Sequence, residues 1–173
     1  KAIHNYSLAA DQNNADAQCA LGLIYAEDQH DINQAIHYFT LAANQNESKA
    51  QYALGVIYSE GKYVMRDMNK SIFYYSLASN QNDSRAQYNL GVIYHQGIYV
   101  ARNVNYAIYY YSLAANQYNS KALLALGLIY LEGQYVPQDV NKAFQYFSLA
   151  AMQGESKSPY NLGVLSSQRQ DNS

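Results

Sequence analysis

The dipeptide Leu-Gly recurs in this chain at a nearly constant spacing. The leucines of these dipeptides are Leu21, Leu54, Leu90, Leu126 and Leu162, so the successive intervals are 33, 36, 36 and 36 residues. A fixed period of this length is typical of proteins built from stacked supersecondary units. The first interval is short because three residues are missing from the loop after Tyr25.

Each period contains the pattern of two helices. In the unit that begins near Ser48, small or apolar residues at Ala50, Leu54 and Ile57 have the spacing of one buried helical stripe. A second stripe follows in SIFYYSLAS at 71–79, AIYYYSLAA at 107–115 and AFQYFSLAA at 143–151. The chain is therefore predicted to be all-α, with antiparallel helix pairs at a 36-residue period and about ten helices.

Turn and cap residues recur at the boundaries of these helices. The first helix of a pair is expected to end at Gly61, Gly97 and Gly133, with Asp28 in the shortened loop. The second helix is expected to start at Asp31, Asp67, Asn103 and Asp139, with Asn33, Asn69, Asn105 and Asn141 as rival caps. Its end is marked by Asn46, Asn82 and Gly154, which tolerate a left-handed backbone, whereas Tyr118 is the exception.

The glycine of each Leu-Gly dipeptide lies inside a predicted helix. These glycines are Gly22, Gly55, Gly91, Gly127 and Gly163. A phosphate-binding fingerprint needs clustered glycines between a strand and a helix, so this context excludes that role. Because a helical glycine costs about 1 kcal/mol relative to alanine, we expect a close approach of the paired helix. The small residues Ala35, Ser71, Ala107 and Ala143 are the predicted partners.

These motifs resemble the Sel-one-like repeat (SLR) family, a longer-loop relative of the tetratricopeptide repeats. One copy is Ala50, Leu54, Gly55, Tyr58, Gly61, Asp67, Lys70, Ser71, Tyr74, Tyr75 and Ala78. Another is Ala122, Leu126, Gly127, Tyr130, Gly133, Asp139, Lys142, Ala143, Tyr146, Phe147, Ala150, Ala151 and Gly154. The chain departs from the family pattern in having tyrosine at Tyr38, Tyr74, Tyr110 and Tyr146, where tryptophan is frequent, and at Tyr63, Tyr99 and Tyr135, where a loop glycine is common.

The resemblance implies a right-handed α/α superhelix, or solenoid, over residues 1–165. Its repeat units are expected at about 15–46, 47–82, 83–118 and 119–154, with half pairs at 1–14 and 155–167 and a polar tail at 166–173. Since both half pairs have apolar faces, we expect a window of a longer protein or a chain covered by a neighbour.

Composition narrows the function. Charged residues make up 14% of the chain and the formal net charge is −2, which is unfavourable for nucleic acid as a partner. The single cysteine, Cys19, excludes an internal disulfide framework and favours a reducing compartment such as the cytosol. No apolar run approaches the length of a membrane span. The four histidines lack catalytic or metal-binding partners at a suitable spacing, so neither an enzyme nor a metal or other cofactor is expected.

Four rows of residues on the first helices are the candidate binding surface. The first row is Asp16, Lys49, Arg85, Lys121 and Lys157, and the second is Cys19, Tyr52, Tyr88, Leu124 and Tyr160, flanked by Asn89 and Asn161. An aliphatic row (Leu23, Val56, Val92, Leu128, Val164) and an acidic or polar row (Glu27, Glu60, Gln96, Glu132) follow. By resemblance to tetratricopeptide arrays, these rows line the concave side of the superhelix.

Two functions remain open at this point. A non-catalytic scaffold or adaptor would bind an extended or helical segment of another protein on the concave rows. Alternatively, a structural array would pack into a larger assembly, or against neighbouring domains of a longer chain, through its ends or its convex face, and the tyrosine and aliphatic rows would then only pack between repeats.

Overall fold

The computed structural model describes residues 2–27 and 31–154, and within these ranges the chain is helical apart from turns and loops. The helices are α1 (Ala2–Asp11), α2 (Ala15–Glu27), α3 (Ile32–Asn44), α4 (Ser48–Glu60), α5 (Met68–Asn80), α6 (Ser84–Gln96), α7 (Val104–Ala115), α8 (Ser120–Glu132) and α9 (Val140–Met152). The predicted all-α fold is confirmed. The last predicted helix, near 157–167, lies outside the described residues.

Each first helix and the helix that follows it form an antiparallel pair. Between α4 and α5, the Asp67 N–H donates to the Tyr58 carbonyl at 3.0 Å, the Ser71 hydroxyl donates to the Gly55 carbonyl at 2.9 Å, and the Tyr75 ring lies 5.9 Å from the Tyr52 ring. The contacts therefore move toward the C-terminus of α5 as they move toward the N-terminus of α4, which is the geometry of an antiparallel pair. The predicted helix pairing is confirmed.

The chain divides into two compact units, one ending at Ala86 and one starting at Gln87. The first unit contains α1 to α5 and the first residues of α6, and the second contains the rest of α6 and α7 to α9. The prediction of one continuous superhelix over residues 1–165 stays a prediction.

The second helix of each described pair begins at a predicted N-cap residue, whose side chain accepts a backbone hydrogen bond. Asp31, Asp67, Asn103 and Asp139 each accept a hydrogen bond from the backbone N–H three residues later, at 2.9 to 3.1 Å. The first candidate cap is thus used in each of α3, α5, α7 and α9, and the rival asparagine two residues later lies inside the helix. The extended or near-extended backbone of these cap residues leaves the side-chain oxygen free to reach that N–H.

Residues in the left-handed conformation end the helices at the predicted positions that the structure describes, and Asp28 lies outside the described residues. Gly61, Gly97 and Gly133 have φ values of +62°, +64° and +64° after the first helices. Asn46 and Asn82 have φ values of +63° and +66° after the second helices. Tyr118 adopts the same conformation at φ +57° although its side chain disfavours it, because the backbone hydrogen bonds of the turn are the same as at Asn82.

The helical glycines make room for an aromatic ring. A Cβ atom placed on Gly22, Gly55 or Gly91 would lie 2.5 Å from the Cδ1 atom of Phe39, Tyr75 or Tyr111, respectively. At Gly127, the ring of Phe147 occupies the same place. The close approach of the paired helix is therefore confirmed, and Ser71 contacts Gly55 as predicted through its hydrogen bond to the Gly55 carbonyl. The atoms that an added Cβ would meet belong instead to the ring four residues beyond Ala35, Ser71, Ala107 and Ala143, which was not predicted. Gly163 lies outside the described residues.

These rings are at the centre of the core. Phe39, Tyr75, Tyr111 and Phe147 are at most 2% exposed. Phe39 lies in one cluster with buried alanines and Leu54, and Tyr111 lies in another with buried alanines and Leu126, so both clusters reach the first helix of the next pair. A full aromatic side chain removes about 150–250 Å² from water. The small residues Ala35, Ser71, Ala107 and Ala143 are also fully buried, since they let the ring-bearing helix lie close to the first helix.

Candidate partner-binding surface

Each first helix presents a stripe of four residues that differ in character along its length. On α4 the stripe is Lys49, Tyr52, Val56 and Glu60, and on α8 it is Lys121, Leu124, Leu128 and Glu132. Residues spaced by three or four positions lie on one face of a helix. Lysine and glutamate are exposed at the two ends of each stripe, and Tyr52, Val56 and Leu124 are partly buried between them.

The tyrosine of α4 is held between two other side chains. The Tyr52 ring lies 5.9 Å from the ring of Tyr75, and the Arg85 guanidinium lies 4.2 Å from the centroid of the Tyr52 ring. Since Arg85 belongs to the next repeat, this contact joins two repeats within the first unit. The aromatic row therefore has a structural role in addition to any binding role.

Arg85 is not an unpaired cation. Its Nε and Nη2 atoms donate hydrogen bonds to the carboxylate of Asp83, the first of them at 3.1 Å. The hydrogen bond to Asp83 raises the pKa of the Arg85 guanidinium above its ordinary value, and burial opposes this. Asp83 also caps α6 through the Ala86 N–H at 3.2 Å. The predicted basic edge is thus partly neutralised here.

An acidic residue also precedes Lys49, whereas a neutral one precedes Lys121. Glu47 precedes α4 and accepts a hydrogen bond from the Lys49 N–H at 3.3 Å. At the corresponding place before α8, the neutral Asn119 caps the helix through the Ala122 N–H at 3.1 Å. Lys121 is exposed and is the basic residue of the row with no acidic residue at the preceding cap.

In the second unit, Tyr88 and Asn89 are half-buried. The Tyr88 ring is tilted against the ring of Tyr111, with the centroids 5.8 Å apart. This is the counterpart of the contact between Tyr52 and Tyr75. Lys157, Tyr160 and Asn161 lie outside the described residues.

The aliphatic row includes two leucines that are exposed to solvent. Leu23 is 49% exposed on α2 and Leu128 is 38% exposed on α8, while Val56 and Val92 are partly buried. On α2 the residue of the neighbouring aromatic row is Cys19 instead of tyrosine, and it is buried, so it offers no surface to a partner. Burial raises the pKa of the Cys19 thiol to about 11, so this thiol stays protonated at neutral pH.

In three repeats a buried glutamine of the first helix is hydrogen-bonded to an exposed glutamine at the end of the second helix, and these pairs were not predicted. Gln18 and Gln51 are 2% and 1% exposed, and their Nε2 atoms each donate to a carbonyl of the preceding helix at 3.2 Å. The side-chain oxygens of Gln18, Gln51 and Gln87 accept hydrogen bonds from Gln45, Gln81 and Gln117, at 2.7 to 2.8 Å. The signal was present in the sequence as Ala-Gln before the aromatic row, at 17–18, 50–51 and 86–87. Leu123 replaces this glutamine in α8.

The loop between the helices of a pair is also fastened by a side chain. Arg66, Arg102 and Gln138 each donate a hydrogen bond to a carbonyl at the end of the first helix, namely Glu60, His95 and Leu131, at 2.7 to 3.0 Å. In the second unit, Arg102 also donates to the hydroxyl of Tyr135 at 2.6 Å, and His95 lies edge-on to the Tyr135 ring. Tyr135 thus packs on the preceding repeat, at a position where the family commonly has glycine.

Tyrosine pairs take the place of the family's tryptophan. Tyr25 and Tyr38, Tyr58 and Tyr74, Tyr94 and Tyr110, and Tyr130 and Tyr146 have centroids 5.7 to 5.9 Å apart and planes within 14° of parallel. An offset stack of this kind is worth about 0.5–1.5 kcal/mol beyond the buried area.

The described part of the chain was also searched for metal-binding clusters and for membrane-spanning helices. Residues 2–27 and 31–154 contain no group of three or more His, Cys, Asp and Glu side chains placed to hold a metal ion. Among these same residues, no helix is long and apolar enough to cross a membrane.

Comparisons with known proteins agree on one fold. A family model described as Sel1 repeat matches residues 1–14, 15–47, 48–83, 84–119 and 120–155. A search of curated proteins gave no match. Proteins built from Sel1 repeats are generally protein-interaction scaffolds and are typically not enzymes.

Three solved structures illustrate the similarity. The chain is 32% identical to a protective antigen of uropathogenic Escherichia coli strains that displays an SLR fold, with a TM-score of 0.91 over 96% of this chain and 36% of that one. It is 32% identical to a Sel1 repeat protein from Oxalobacter formigenes, with a TM-score of 0.86 over 94% of this chain and 68% of that one. It is 26% identical to cysteine rich protein B of Helicobacter pylori, with a TM-score of 0.61 over 76% of this chain and 95% of that one. The chain thus spans about a third of the length of the E. coli antigen, and, since the family model matches it from residue 1 to residue 155, it belongs to the Sel1 repeat family.

Proposed function

We propose that this chain is a non-catalytic scaffold that binds a segment of another protein on the stripes of its first helices. The observation that supports this most directly is the exposure of Leu128, at 38%, between Leu124 and Glu132 on α8. A partner side chain that covers Leu128 would gain about 25 cal/mol for each Å² of apolar surface that is buried.

The charges of the stripe suggest how a partner segment is oriented. Lys121 at one end favours an acidic residue of the partner, and Glu132 at the other end favours a basic one. The apolar residues between them favour an aliphatic or aromatic side chain. Paired charges at the rim of an interface contribute to orientation and association rate more than to affinity.

The experiment is a capture of partners from an extract of the source cells with the 173-residue chain, followed by the same capture with variants. We expect Leu128→Arg and the double variant Lys121→Glu, Lys157→Glu to lose the partner. Lys142→Glu is the matched control, since it reverses a lysine on the second helix α9. Retention of the partner by the first-helix variants would refute the proposal.

The alternative function is a structural array that packs into a larger assembly through other surfaces. The exposed rings of the second helices favour it, because Phe73 on α5 is 58% exposed. In this case the partner would be lost with Phe73→Gln and kept with the Leu128 and Lys121 variants.

A further inference from the structure

The aromatic ring of α1 is exposed, although its equivalents in the other second helices are buried. The sequence AIHNYSLAADQN at 2–13 aligns with AIHYFTLAANQN at 35–46, so Tyr6 has the position of Phe39. Phe39 and the rings equivalent to it are at most 2% exposed, and each lies against the helical glycine of its own pair. Tyr6 is 41% exposed. Among the described residues, no glycine-bearing helix therefore covers this ring.

The opposite face of α1 is packed in the same way as in the other second helices. Ala10 is 7% exposed and lies in one cluster with Ala17 and Leu21 of α2. Ala9 is only partly buried, whereas the alanine at the same position of α3, α5, α7 and α9 is fully buried. Leu8 is 52% exposed. The exposed face of α1 is thus the face that the first helix of the same pair covers in a complete repeat.

The repeat itself specifies which kind of helix fits this face. Four of the five glycines in Leu-Gly dipeptides lie against a ring of the helix that follows, namely Gly22, Gly55, Gly91 and Gly127. Because a Cβ atom added to Gly22 would lie 2.5 Å from the Phe39 ring, only glycine leaves room for a ring at this position. The glycine that remains is Gly163, in the predicted helix at 157–167, and the ring that remains is Tyr6. A helix that contains Gly163 is therefore expected to have the space that the Tyr6 ring needs.

A second position of the repeat is changed in both half pairs. In the four described pairs, a tyrosine of the first helix stacks on a tyrosine of the second helix, with the centroids 5.7 to 5.9 Å apart. On α1 the position of the second tyrosine is taken by Asn5, and in the segment 157–167 the position of the first tyrosine is taken by Ser166. A first helix with the usual tyrosine would have no ring to stack on at Asn5, whereas Ser166 requires none. This match favours the segment 157–167 over any other first helix of the chain as the occupant of the α1 face.

The two half pairs are expected to meet between copies of the chain. Four complete repeats lie between α1 and residues 157–167 in the sequence, and in arrays of this kind each repeat contacts only its neighbours. A second copy can bring the segment to α1 without any change in either array. The contact then repeats the helix pairing that is found inside the chain, so it involves the face of a whole helix rather than isolated rings.

We propose that residues 157–167 of one copy pair with α1 of another copy, so that Gly163 lies against Tyr6 and a complete repeat forms between the two chains. The contact joins two different surfaces, so it is heterologous and continues from copy to copy unless a ring closes. It concerns the ends of the array and goes beyond the binding of another protein on the first-helix stripes.

The test uses the 173-residue chain and two variants that each remove one side of the contact. Tyr6→Arg places a cation on the exposed face of α1, and Gly163→Leu fills the space for the ring. In sedimentation equilibrium over roughly 1–500 µM the parent should self-associate, and each variant alone should associate on the order of 100-fold more weakly. A mixture of the two variants should form a 1:1 dimer about as readily as the parent associates, because α1 is intact in Gly163→Leu and residues 157–167 are intact in Tyr6→Arg. Phe73→Arg, which replaces a 58% exposed ring of α5, is the control and should associate like the parent.

Three results would overturn the proposal. A parent chain that stays monomeric over this range would mean that the α1 face takes another occupant, such as a helix of a different protein or a segment of its own chain. A Gly163→Leu variant that associates as strongly as the parent would place α1 against α1 or locate the contact elsewhere. A mixture that associates no more than its two components would show that the two surfaces do not pair. The melting temperature of each variant is measured in parallel, and Tyr6→Ser replaces Tyr6→Arg if the latter is less stable than the parent.

Discussion

Replacing Gly91 by alanine tests the central packing contact of the repeat. The added Cβ atom would lie 2.5 Å from Cδ1, 2.6 Å from Cε1 and 3.0 Å from Cγ of Tyr111. Ordinary van der Waals contacts begin at 3.4 Å, so the ring would have to retreat by the difference between 3.4 and 2.5 Å, or 0.9 Å. Tyr111 is only 2% exposed and has Tyr88 and His95 against it, which prevents an easy shift.

Two free-energy terms of opposite sign decide the outcome. Alanine improves the helix by about 1 kcal/mol relative to glycine. Overpacking of a well-filled core costs about 1–3 kcal/mol. Because the whole edge of a buried ring must move, we expect the upper part of that range and a net loss of about 1–2 kcal/mol in the free energy of unfolding.

The assay is urea unfolding of four proteins: the parent, Gly91→Ala, Tyr111→Leu and the double variant. In the Tyr111→Leu background no ring opposes the new methyl group, so Gly91→Ala should stabilise by about 1 kcal/mol. The two backgrounds should then differ by about 2–3 kcal/mol, well above the deviation of about 0.5 kcal/mol that is usual for independent sites. A Gly91→Ala protein at least as stable as the parent, or an equal effect in both backgrounds, would refute this reasoning.

Four other outcomes follow from the structure. Tyr118→Asn should raise the free energy of unfolding by about 0.5–1 kcal/mol in thermal or urea unfolding, since it relieves a left-handed tyrosine that is exposed; a lower stability would contradict this. Gln51→Ala should cost about 1–3 kcal/mol because it empties a buried site and removes the hydrogen bond to the Ala43 carbonyl, whereas Gln81→Ala at its exposed partner should cost less than about 1 kcal/mol; equal losses would count against the buried role. Burial lowers the pKa of His95, so the stability that neutral His95 contributes is complete above about pH 6.5 and is lost as the pH falls. The melting temperature of His95→Ser should therefore drop less than that of the parent between about pH 7.5 and 5.5. An equal drop in both proteins would exclude His95 as the cause of the pH dependence. Cys19, with its pKa raised to about 11, should react with iodoacetamide at about pH 8 much faster in urea than in the folded state, and equal rates would show that the thiol is accessible.

Much of the local structure could be predicted from single residues and their spacing. The caps at Asp31, Asp67, Asn103 and Asp139 and the left-handed glycines depend only on short-range backbone geometry, which each residue type specifies for itself. The helix pairs could be predicted because each 36-residue repeat contains two stretches in which small and apolar residues recur at helical spacing. Leu123 shows where this reasoning ends, since it occupies the position at which the other described first helices have a buried glutamine.

Contacts between residues distant in sequence required the tertiary structure. The sequence predicted that something lies close to Gly91 but not that it is the ring of Tyr111 rather than the small Ala107, because the rotation of α7 about its own axis determines which side chain faces the glycine. Arg85 looked like an open cation until the positions of Asp83 and Tyr52 were known. By itself, the sequence determined the repeat, its helices and the ends of those helices, because these features depend on neighbours within a few residues. The tertiary structure decided which rings, amides and charges are covered and which side chains, such as Tyr106, Tyr109 and Leu128, remain exposed. Exposure could not be predicted because it depends on every element that packs nearby.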